Sequence, residues 1–176
     1  MTIRGITAAA LAAAALASPA LADDNVFNFT YSDPVTLAHG SVVASSNGDG
    51  SYTAYSGTLT ITGTSFDGVY SLWQNPVAPS YTTSPSGRFL IDNQVLPSTS
   101  SLFTWYGLLF TNGAREVNLW GNGDGNPLSL WSSPGSSYDH SSDSGVLTDV
   151  VVQPVPSVGA PIALASAGLL VMRRRR

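Results

Sequence analysis

Between residues 23 and 153 the chain never sustains the 3.6-residue apolar spacing of a helix. Apolar and polar residues alternate instead, in short runs broken by Gly, Asn, Asp and Pro. Val26 to Tyr31 places Phe27, Phe29 and Tyr31 on one face. Ser41 to Ser46 runs into Asn47-Gly48-Asp49-Gly50, whose Asn-Gly and Asp-Gly steps supply the positive φ angles of a tight hairpin. The chain returns through Ser51 to Tyr55, and Thr58 to Thr62 continues the alternation, with Tyr55, Leu59 and Ile61 facing one way. Further strands are expected at Val69 to Trp73, Arg88 to Asp92, Leu102 to Thr111, Arg115 to Trp120, Pro127 to Trp131 and Val146 to Val152. Leu102 to Thr111 is the most hydrophobic and is expected at the centre. His39-Gly40 reads as a turn. Asn75 to Gly87, with three prolines, and the serine-rich Ser132 to Ser144 read as loops. Such short strands with Gly, Asn and Pro turns predict an all-β domain, a β-sandwich or jelly roll.

The two ends read as processing segments, leaving residues 23–153 as the domain between 1–22 and 154–176. Arg4 supplies a positive n-region, Gly5 to Ala17 an apolar stretch, and Ala20-Leu21-Ala22 a small-x-small cleavage site. That is the layout of a secretory signal peptide, with signal peptidase as the implied partner. From Asp23 to Pro154, eleven carboxylates stand against two arginines, Arg88 and Arg115, for a net charge of −9, and lysine is absent from the whole chain. A surface of that sign repels nucleic-acid phosphates and anionic head groups. Cysteine is also absent, which excludes a disulfide framework, a zinc–thiolate site and a cysteine nucleophile. The domain must stand on core burial and sheet hydrogen bonds, for which a domain of about 130 residues is large enough.

Motifs with chemical content are few. Asn122-x-Asp124-x-Asn126 begins like a calcium loop, but Pro127 and Ser133 occupy the positions that need Gly and a bidentate Glu. Turn chemistry accounts for it, and for Asn47 to Gly50. Asp139-His140-Ser141 juxtaposes triad residue types, but a triad is a spatial arrangement and adjacency in sequence does not make one. Glu116 stands alone in its strand, so a glycosidase-like pair would have to come from loop aspartates. No catalytic residue, metal ligand or cofactor is expected. Trp73, Trp105, Trp120 and Trp131, with seven tyrosines, admit two readings. Aromatics dominate burial in small β domains, so most are expected in the core; an exposed row on one sheet would instead stack on sugar rings.

The last 23 residues carry the most specific pattern. Pro154-Val155-Pro156 is followed by the apolar run Ile162 to Met172 and then by Arg173, Arg174, Arg175 and Arg176. The run is shorter than the roughly twenty residues of a spanning helix, and the basic block holds its end on the cytoplasmic side. The arrangement resembles the PEP-CTERM class of bacterial sorting signals: a proline motif, an apolar helix and a terminal arginine cluster. Val155 stands where the usual motif has glutamate. Asp92 to Pro97, Tyr106 to Phe110 and Glu116 to Trp120 are similar to a recurring pattern in small exported proteins with such tails. The resemblance implies processing by an exosortase-like membrane enzyme and transient anchoring in the inner membrane. It also implies a cell-envelope or extracellular-matrix location, often beside exopolysaccharide. The expectation is a non-enzymatic exported surface or matrix protein, with a carbohydrate-binding module as the alternative and a secreted hydrolase as the third.

Overall fold

The computed structural model describes Asp24 to Val155. The expected signal-peptide helix with its Ala20–Ala22 site, and the tail helix with Arg173 to Arg176, lie outside the described residues. Eleven strands follow in order: β1 (Asn25–Ser32), β2 (Leu37–Ser46), β3 (Tyr52–Thr62), β4 (Gly68–Leu72), β5 (Thr82–Thr83), β6 (Leu90–Ile91), β7 (Gln94–Val95), β8 (Leu108–Thr111), β9 (Glu116–Trp120), β10 (Leu128–Ser133) and β11 (His140–Pro154). Among the described residues no helix is long and apolar enough to cross a membrane.

The sandwich expectation is overturned. Following hydrogen-bonded neighbours from β2 through β1, β11, β10, β9, β8, β4 and β3 leads back to β2, so eight antiparallel strands close into a barrel. Closure rests on β1 pairing with β11, from Asn25↔Pro154 to Ser32↔Val146. One inward-facing set of side chains per strand fills a barrel of this size, so a barrel and a sandwich carry the same alternation. Only the long-range pairing separates them.

Three bulges bend the strands as closure requires. Val43 pairs with Ser56 and Ala44 with Ala54, which leaves Tyr55 as an extra residue in β3. Ala54 and Leu59 therefore both point inward, and Tyr55 is exposed rather than sharing a face with Leu59 and Ile61. A second bulge sits in β11 at Asp149, whose φ is 53°. The third lies between the pairs Leu128↔Gly145 and Leu130↔Ser142.

The interior is filled by side chains, among them Phe27, Phe29, Tyr31, Leu59, Ile61, Tyr70, Leu108, Phe110, Leu119 and Leu130, all essentially inaccessible. His39-Gly40 is no turn but the middle of β2. Gly40 faces Phe29, and a Cβ there would come within 2.0 Å of the ring. Leu102 to Gly107 is loop rather than strand, with φ of 59° at Leu102 and 65° at Gly107. Its Phe103 packs edge-on to Phe29, ring centres 5.2 Å apart. Ser132 to Ser144 contains the end of β10 and the start of β11.

A second, smaller core lies on the outside of the barrel. Leu109, Asn118 and Trp131 are register neighbours across β8, β9 and β10, on the face opposite the interior residues Leu108, Leu119 and Leu130. The β5–β6 hairpin covers part of that face, burying Phe89 and Ile91 against Leu109, with Trp73 and Trp131 at the margin. This hairpin, laid on a barrel wall, creates the candidate site.

Candidate functional site

Strand alternation builds the floor. In Glu116-Val117-Asn118-Leu119-Trp120, Val117 and Leu119 enter the barrel core while Asn118 and Trp120 point outward. Trp131 joins them from β10, Tyr138 from the β10–β11 turn, Trp105 and Tyr106 from the loop before β8, and Arg88 to Leu90 from the hairpin. Together they line an open surface depression of about 380 Å³.

The aromatic rings are held in place. Trp120 and Trp131 lie 5.6 Å apart at 59°, and Trp131 meets Tyr138 edge-on at 5.0 Å. Trp131 Nε1 donates to Asp143 Oδ1 at 2.9 Å, and Trp120 Nε1 donates to Asn122 Oδ1 at 3.2 Å. Tyr106 stacks on Tyr81, ring centres 4.7 Å apart. Trp105 is 67% exposed, which excludes it from the core.

Asp92-Asn93-Gln94 anchors the loop that carries Trp105 and Tyr106. Thr104 Oγ1 donates to the Asp92 carboxylate at 2.7 Å, and Asn93 N donates to Gly107 O at 3.0 Å. Asn93 is fully buried with φ 56°, and its side chain accepts from Leu109 N at 3.2 Å and donates to Trp73 O at 2.7 Å. Burial pushes the Asp92 carboxyl up, against the hydrogen bonds from Thr104 and Gln94 N that favour its charge.

Two polar groups at the depression have unused capacity. Asn118 is 4% exposed and its Oδ1 has no hydrogen-bond partner. Leaving a buried acceptor unmet costs about 1–3 kcal/mol. Arg88 donates through Nε to Gly135 O at 3.2 Å and through Nη2 to Ser136 O, and its guanidinium lies 6.0 Å from the centre of the Tyr138 ring. A guanidinium has five N–H donors, so others stay free.

The structure thus brings together Trp105, Trp120 and Trp131 of the four tryptophans singled out in the sequence. Trp73 is elsewhere, half-buried against the Phe89, Ile91 and Leu109 cluster. Asn118 and Arg88 were not anticipated; Tyr106 and Tyr138 belong to the seven tyrosines considered with the tryptophans. Asn118 was accessible to sequence reasoning, because it shares a strand face with Trp120.

The other sequence candidates are engaged structurally. Glu116 is buried and accepts from Ser84 Oγ at 2.7 Å, Ser86 N at 2.8 Å and Ser86 Oγ at 2.5 Å. His140 Nε2 lies 3.7 Å from Asp33 Oδ2, and His39 lies 3.1 Å from Thr30 Oγ1. Asp124 accepts from Ser100 N at 2.9 Å, a contact that ties its loop to the segment before Ser101 rather than closing its own turn. Among the described residues no three His, Asp or Glu side chains gather as a metal site. Pro154 is the last residue of the β1–β11 ladder, and Val155 N donates to Asp24 O at 2.8 Å. The proline motif therefore begins where the barrel ends.

Comparison of the chain with protein-family models, curated proteins and solved structures found no match.

Proposed function

We propose that this chain is an exported, non-enzymatic glycan-binding barrel that holds polysaccharide at the cell surface or in the extracellular matrix. The observation that carries the reading is the gathering of Trp105, Trp120 and Trp131 with Tyr106 and Tyr138 around one open depression. Pyranose rings present apolar C–H faces that stack on aromatic rings. A concave, mostly apolar site with a few convergent polar groups is the expected form of a small-ligand pocket. The barrel interior is filled, so ligand binding falls to the outer wall.

The test is retention on immobilised exopolysaccharide from the producing cells. The exported protein should be retained, and Trp120→Ala should lose at least about tenfold in affinity, since base and ring stacking on aromatics carries energies of this order. Retention that is indifferent to Trp105, Trp120 and Trp131 would contradict the reading.

Delivery rests on the two ends of the chain. We read the Ala20–Ala22 site as the signal-peptidase cut, and Pro154 to Arg176 as a sorting signal handled by an exosortase-like membrane enzyme. Asp24 and Val155, the first and last described residues, meet at one rim of the barrel. Intact-mass measurement should find a mature species lacking Arg173 to Arg176. A surface species that retains them would contradict tail processing.

A further inference from the structure

We infer that the sugar unit seated in this pocket is acidic, its carboxylate held by Arg88 while its ring lies against the tryptophans. This rests on the glycan-binding reading and names the ligand class within it. The distribution of charge carries the inference. The chain from Asp23 to Pro154 holds eleven carboxylates and two arginines. The pocket lining contains one of those arginines and none of the carboxylates. The other arginine, Arg115, is paired with Asp139, so Arg88 is the arginine without a carboxylate partner among the described residues.

Arg88 is also held in position rather than left free in solvent. Carbonyls of Gly135 and Ser136 take two of its N–H groups, Tyr138 lies beneath the guanidinium, and Tyr138 OH returns a hydrogen bond of 2.7 Å to Arg88 O. An ordered guanidinium beside aromatic rings matches the planar, two-oxygen geometry of a carboxylate. A neutral sugar would use the rings and leave the positive charge unanswered.

The experiment compares each of several polyuronates with the same polymer after its carboxyls have been reduced to primary alcohols. Binding to the exported protein is measured calorimetrically at about 0.15 M salt, where the Debye length of about 8 Å screens the domain's distant carboxylates. The native polymer of at least one pair should bind about tenfold tighter than its reduced form. Arg88→Gln should bring that ratio close to one, whatever the absolute affinity, and Arg88→Lys should restore part of it. Equal binding of native and reduced forms in every pair, or a preference that survives Arg88→Gln, would overturn the acidic assignment and leave glycan binding standing. Failure to bind any native or reduced polymer would overturn the glycan reading and this inference with it.

Discussion

The indoles of Trp120 and Trp131 are tied to the two ends of one hydrogen-bond chain. Trp120 Nε1 donates to Asn122, whose Nδ2 donates to Ser129 Oγ at 2.8 Å; Ser129 Oγ donates to Asp143 Oδ1 at 2.6 Å, and Trp131 Nε1 donates to the same oxygen. The chain crosses β9, β10 and β11 and fixes the angle between the two rings. Its outer residues, Asn122 and Asp143, come from the turn and the serine-rich segment that flank β10.

Breaking this chain at its middle should therefore disorganise the pocket without dismantling the barrel. Ser129→Ala leaves Asn122 and Asp143 each short of a partner, at a cost of about 1 kcal/mol in stability. Affinity for polysaccharide should fall several-fold, as the two rings lose their fixed orientation. Asp143→Ala, at an exposed position, should reproduce the affinity loss with less effect on stability. Denaturation and binding curves on the same samples separate the two effects. Unchanged affinity in both variants would show that ring orientation does not matter.

Gly40 lies directly under the Phe29 ring inside the barrel, and no movement of the ring's far edge is available in a filled interior. Gly40→Ala should destabilise the fold by about 1–3 kcal/mol or more, the range for overpacking a core. Phe29→Leu in the same chain should recover part of that loss, because the two sites share one volume. Urea midpoints of the two single variants and the double variant test this. Additive losses would contradict the contact.

Asp33 and Asp92 should carry opposite pH signatures. Burial opposes the charge on Asp33, but hydrogen bonds from Val35 N, Ser142, Tyr31 and Thr36 N outweigh it and hold the carboxyl below the usual aspartate range. Its folded pKa is then below the unfolded value of about 3.9. The stability it contributes is present above that value and lost as pH falls through the folded pKa. Asp92 is raised, chiefly by burial. Its contribution is fully present below about pH 3.9 and lost as pH rises through its folded pKa. Asp33→Asn should flatten the acid limb of the stability profile, and Asp92→Asn should flatten the loss above about pH 4. Urea midpoints across pH for both variants check the signs.

The inward-facing half of the barrel was legible in the alternation of Phe27, Phe29 and Tyr31, and the β2–β3 hairpin in Asn47 to Gly50. Closure was not, because the pairing of Asn25 with Pro154 joins residues at opposite ends of the domain and leaves no local trace. Tyr55 misled because a bulge reverses facing with no change of composition. Ser132 to Ser144 misled for a different reason. Serine has little strand propensity, yet Ser132 sits between Val117 and His140, and pairing on both sides holds it in the sheet. Leu102 to Thr111 mixes residues with separate destinations: Phe103 plugs the barrel, Trp105 faces solvent, and only Leu108 onward enters the sheet. For the site, four tryptophans were visible as candidates, and three of them reach it. Their convergence depends on the pairing of β9 with β10 and on the loop before β8, which no spacing within a single strand encodes.

The most direct test is a two-dimensional NMR spectrum of the four tryptophan indole N–H groups, recorded as oligosaccharides from the producing cells' exopolysaccharide are added. The signals of Trp105, Trp120 and Trp131 should shift together and saturate at one affinity, while that of Trp73 stays in place. No shift in the three pocket indoles, or a response led by Trp73, would contradict glycan binding at this site.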